Sequence, residues 1–134
     1  MLKRNVKCFG IIVFLALFGI CFIGCNISGY KVEYYKISWE TYNSRDSYPT
    51  ADESLNFVKN AAGTESLGNY WCGGKSSEGL RDFFNEKCGY VSNMDDILSS
   101  IEQDQTHGVW YSPGLLSTGP NYCQYFYITN ENFR

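Results

Sequence analysis

The sequence predicts an α+β domain: a small antiparallel sheet from N- and C-terminal strands, with about three helices between them. Three observations predict it. Residues 30 to 40 alternate apolar and polar with the period of a strand, two further alternating runs close the chain, and the stretch between carries apolar residues at helical spacing. Strands that flank a helical middle can pair into one sheet that buries itself against the helices.

The elements follow in order. In YKVEYYKISWETY, Tyr30, Val32 and Tyr34 share one face and Tyr35, Ile37 and Trp39 the other, so the apolar phase slips at the Tyr34–Tyr35 pair. One extra residue in a strand swaps its faces, and a bulge there accounts for the slip. NSRDSYPT then breaks the strand, and Thr50 stands three residues before Glu53, the spacing of a capping box. Leu55, Val58 and Ala62 give the first helix its face, and Gly63 ends it. A second helix starts near Ser76 or Ser77, packs through Leu80, Phe83 and Phe84, and stops at Gly89. The third has Met94, Ile97, Leu98 and Ile101 at i, i+3, i+4 and i+7, with Ser92 and Asp95 in capping-box spacing. HGVWYS and NYCQYFYIT read as two strands joined by PGLLSTGP.

The first 24 residues are read apart from this domain. Lys3, Arg4 and Lys7 precede an uncharged run from Phe9 to Ile23, which ends in Gly24 and Cys25. That is the order of an export signal, and fifteen helical residues reach only about 22 Å, short of the roughly 30 Å core of a bilayer. The Gly24-Cys25 ending resembles the lipobox of bacterial lipoproteins, with Phe22 where that family usually has leucine. The resemblance covers this segment only. It implies removal of residues 1 to 24, acylation of the Cys25 sulfur, and, since Asn26 rather than aspartate follows, transfer to the outer membrane, facing the periplasm. Two acyl chains hold a protein to a bilayer stably where one does not. Residues 25 to 29 then form the lipidated cysteine and a short linker, and residues 30 to 134 a single domain. In the alternative reading Cys25 is one more disulfide partner behind an ordinary signal.

Of the eleven Lys and Arg, three lie in the export segment, so the exported part sets eight against fourteen Asp and Glu and carries a formal charge of −6. A phosphate backbone is repelled by such a domain, which argues against nucleic acid as a partner. Glu78, Asp82 and Glu86 recur every four residues along the second helix, a stripe that would face either solvent or a basic protein partner.

Cys72, Cys88 and Cys123 remain for the domain, and an oxidising compartment favours one disulfide among them, whose pairing the spacing leaves open. Cys72 shortly before a helix and the single histidine, His107, opening a strand superficially resemble the order in papain-like and cell-wall-cutting cysteine peptidases. Here, however, Gly73 and Gly74 follow the cysteine where those families place an aromatic or a Ser-Gly pair. The four residues Cys72, Cys88, His107 and Cys123 lack the C-x2-C knuckle of a zinc site, and CGGKSSEGL does not complete a Gly-rich loop of the phosphate-binding type. No cofactor or metal is therefore expected. The expectation is a lipid-anchored envelope protein acting as a small binding or inhibitory module for another protein or envelope component. A small hydrolase using Cys72 and His107, or a structural envelope lipoprotein, are the alternatives.

Overall fold

A computed structural model describes residues 28–115 and 119–133. Cys25 and residues 1 to 24, the stretch read as an export signal, lie outside them. The chain runs β1 (Gly29–Ile37), α1 (Trp39–Ser44), α2 (Ala51–Asn60), β2 (Glu65–Gly73), α3 (Glu78–Cys88), α4 (Met94–Gln103), β3 (Thr106–Tyr111) and β4 (Cys123–Asn130). The four strands form one antiparallel sheet in the order β2-β1-β4-β3, so the terminal strands β1 and β4 are central, and the fold is α+β as expected.

The helices cover both faces of this sheet. Tyr30, Val32, Tyr34, Phe126 and Ile128 point to one face and meet Leu80, Phe84, Leu98 and Ile101 of α3 and α4. Tyr34 stacks on Phe126 with ring centroids 4.9 Å apart, and Phe84 meets Phe126 edge-on at 5.0 Å. On the other face Tyr35, Ile37, Cys123 and Tyr125 pack with Leu55 and Val58 of α2. This arrangement explains the slip at Tyr34–Tyr35 better than an extra residue in β1 does. The β1–β4 register is unbroken from Tyr30 to Ile37; Tyr34 faces α3 and α4, Tyr35 faces α2, and both are buried. An irregularity does occur at that point, but in the β1–β2 ladder: Tyr34 faces Gly68 and Tyr35 faces Ser66, so Leu67 of β2 is the residue left over. Gly68, at φ +121°, takes the backbone conformation the bulge requires.

Three local expectations change and one holds. The alternation read as one strand to about Glu40 stops at Ile37, because the Ser38 side chain accepts a bond from the Thr41 amide and starts α1. Trp39 is consequently exposed rather than on a buried strand face. β2 was not expected at all: it is an edge strand with Gly68 and Asn69 inside it and no alternating burial to betray it. The capping box at Thr50 forms, its hydroxyl accepting from the Glu53 amide at 3.2 Å. That at Ser92 does not, since α4 begins after Asn93 and Asp95 instead accepts from Arg81 at 2.5 Å.

Candidate functional site

The residues singled out for chemistry are kept apart by the sheet. Cys72 lies on edge strand β2 and His107 on edge strand β3, with β1 and β4 between them. Three strand spacings amount to about 14 Å, too far for a proton transfer. Burial pushes the Cys72 thiol up to about 11, away from a thiolate, and His107 Nδ1 is engaged with Asp104 at 2.8 Å. A Cys72/His107 nucleophile is therefore not assembled.

The expected disulfide is not formed either; Cys72, Cys88 and Cys123 are free thiols. Geometry gives the reason. Cys72 packs beside Gly79 at the start of α3, whereas Cys88 ends that helix, about 13 Å further along its axis. Cys123 neighbours Gln124, the residue that Cys88 touches, and so projects from the opposite face of the sheet. Cys72 and Cys123 stand opposite Tyr30 and Ile37 of β1, about 23 Å apart along the strand. The two separations from Cys72 exceed the roughly 7 Å between Cα atoms that a bridge tolerates, and Cys88 and Cys123 are held in the cores on opposite faces of the sheet. Cys88 is fully buried, its thiol pushed up to about 12 by desolvation while donating to Gln124 Oε1 at 3.5 Å. Among the described residues no cluster of His, Cys, Asp or Glu is arranged to hold a metal ion.

Glu78, Asp82 and Glu86 do lie on the exposed side of α3, but the stripe is partly neutralised. Arg81 bridges Glu78 at 3.0 Å and Asp95 of α4, and Lys87 lies 3.8 Å from Glu86. Lys87 is drawn inward over the rings of Tyr70 and Tyr34, at 4.8 and 5.8 Å from their centroids.

The feature best formed for recognition is the outer edge of β3. The Asn130 amide donates to the Gln105 carbonyl at 2.8 Å, so these two residues form a hydrogen-bonded pair at the mouth of the β3–β4 ladder. Bonded and non-bonded pairs alternate in an antiparallel ladder, which assigns His107, Val109 and Tyr111 to β4 and turns the amides and carbonyls of Thr106, Gly108 and Trp110 outward. No described residue supplies a backbone partner for those three.

A cleft lies on each side of this edge. One, of about 550 Å³, is apolar and aromatic, with Val91, Met94, Ile97, Val109 and Tyr111 in its wall. The other, of about 610 Å³, is polar and lies under the α1–α2 connection, with Arg45, Asp46, Asp104 and His107. Arg45 is held there by donating to the Tyr42 carbonyl at 2.6 Å and by stacking over the Tyr42 ring at 3.8 Å from its centroid. Among the described residues no carboxylate pairs with it. Nothing in the sequence marks β3 as an edge, because strand order is decided by long-range pairing. The other edge is less accommodating, since the bulge at Leu67 interrupts β2.

No family model matches this chain, and no curated protein or solved structure matches it.

Proposed function

We propose that this protein is a lipid-anchored component of a bacterial envelope, held at the outer membrane, and that it works as a small binding or inhibitory module. Its partner is another protein, captured through an extended segment that adds to the sheet along β3. The observation that carries this reading is the row of outward amides and carbonyls at Thr106, Gly108 and Trp110 between two clefts. A strand paired there sends alternate side chains to opposite faces of the sheet, one set towards the apolar cleft and the other towards Arg45. The main-chain bonds supply affinity and the clefts supply selectivity. The acidic residues Glu78, Asp82 and Glu86, with Asp95 and Asp96 on α4, steer a basic partner towards the domain without forming the contact itself.

Thr106→Pro removes one outward amide and leaves the backbone bonds to β4 intact, because proline is tolerated at the start of an edge strand. The chain carrying it should fold and lose at least tenfold in capture of a partner from envelope extracts, compared with the unmodified chain. Undiminished capture by Thr106→Pro would overturn strand addition along β3 as the mode of binding.

A further inference from the structure

The end of the domain where β1 begins is tied together from three segments. The Gly74 amide donates to the Ser28 carbonyl at 3.0 Å, and the Glu131 amide to the Gly29 carbonyl at 2.9 Å. The Asn132 side chain accepts from the Gly29 amide at 3.1 Å and donates to the carbonyls of Gly74 and Lys75, each at 3.2 Å. The start of β1, the end of β2 and the end of β4 therefore share one rigid corner.

Two large apolar side chains are exposed at that corner. Trp71 is 48% exposed and Phe133 43%. The Trp71 ring lies against Gly29, where a Cβ would come within 2.7 Å of Cζ2, so glycine is what lets the indole lie down on the backbone. Trp71 is paired with Lys31 across the β1–β2 ladder. It projects from the face that α2 covers at β3, β4 and the Tyr35–Ile37 end of β1, on the side of β2 beyond that helix. The Lys31 side chain is 65% exposed and Lys75 is exposed on the same corner.

We infer that this corner rests on the bilayer, with Trp71 and Phe133 at the level of the lipid headgroups. The inference depends on the reading that Cys25 carries the acyl chains. Cys25 is three residues before Ser28, so the tether can span at most about 11 Å. A domain held that closely presents to the membrane whichever surface surrounds the start of β1, and that surface holds an indole, a phenyl ring and two ammonium groups. Tryptophan favours the interface between headgroups and acyl chains, and lysines beside it reach anionic phosphates. The same corner carries the Glu131 carboxylate, 3.9 Å from Lys31, which offsets part of the attraction of that ammonium group for anionic headgroups. β1 runs away from this corner for about 27 Å, which places the Tyr111 end of the β3 edge away from the lipid and open to a partner.

The test uses the full chain as processed by a bacterial host, reconstituted into vesicles of phosphatidylethanolamine and phosphatidylglycerol. The vesicles carry a nitroxide quencher near the headgroup. Tryptophan emission should be quenched at least twofold more strongly in the unmodified chain than in Trp71→Phe, because Trp39 lies at the far end of β1 and Trp110 is packed on Tyr125. Mass spectrometry of the N-terminal peptide is read on the same sample. An acylated Cys25 with equal quenching in both chains overturns the membrane contact and leaves the anchor standing. An unmodified Cys25 overturns both. Equal quenching together with protection of Trp71 from aqueous iodide would assign the corner to a second copy of the chain instead.

Discussion

Gly108 is the position at which the edge strand and the core beneath it are most tightly coupled. A Cβ there would overlap the hydroxyl oxygen of Tyr125 and lie 3.1 Å from two of its ring carbons. Tyr125 has nowhere to retreat: it is fully buried between the sheet and α2, packs against the tilted Trp110 ring with centroids 4.5 Å apart, and donates to the Ala51 carbonyl at 3.3 Å. Gly108→Ala must therefore either displace β3 or expel the phenol from its hydrogen bond. Overpacking of a core costs about 1–3 kcal/mol and a lost hydrogen bond about 0.5–1.5 kcal/mol, so the expected destabilisation is about 2–4 kcal/mol. In a domain of this size the melting temperature should fall by more than about 8 °C. Tyr125→Phe alone removes only the hydroxyl and should cost about 1 kcal/mol. In the double variant the overlapping oxygen is gone, and the two costs should fall short of additivity by at least about 1 kcal/mol. Urea unfolding followed by circular dichroism measures all three. Additive costs would refute the overlap as the reason for glycine at this position, and a Gly108→Ala chain as stable as the parent would refute the packing itself.

Two further outcomes follow from the thiols and from one carboxylate. Alkylation of the denatured, unreduced chain followed by peptide mapping should label Cys72, Cys88 and Cys123 in full, while the same reagent at neutral pH on the folded chain should leave Cys88 unlabelled; recovery of any two of them as a linked peptide would contradict the geometry. The Glu102 carboxylate accepts from both the hydroxyl and the amide of Ser77, at 2.6 and 3.0 Å, and these bonds hold it below the usual carboxylate range. A pKa lowered by folding stabilises the protein above about pH 4.5 and withdraws that support as pH falls through the folded value. Glu102→Gln should therefore be less stable than the parent at pH 7, with the difference narrowing below pH 4.5, and a difference independent of pH would contradict this assignment.

Much of the local structure was legible because it is written in short-range chemistry. Thr50 and Glu53 state the start of α2, the spacing of Met94, Ile97, Leu98 and Ile101 states α4, and Gly89 states the end of α3. β2 was hidden because an edge strand with a bulge has little buried surface to impose an alternating pattern. The slip at Tyr34–Tyr35 was visible in the residues, but its cause was not: adjacent side chains of one strand always point to opposite faces, and only the placement of α2 on one face and of α3 and α4 on the other makes both of them core.

The sequence by itself determined the fold class, the extents of most helices and strands, and the acidity of the domain, since these depend on residue type and on spacings of a few residues. Tertiary structure alone decided what could meet. The strand order set Cys72 and His107 on opposite edges, the pleat set Cys88 and Cys123 on opposite faces, and the ladder phase turned the amides of Thr106, Gly108 and Trp110 towards solvent. Each of these outcomes depends on pairings between residues tens of positions apart. Chain connectivity restricts such pairings only weakly, because loop-closure entropy grows only with the logarithm of length, and it is the burial gained when the two faces close over β1 and β4 that selects among them.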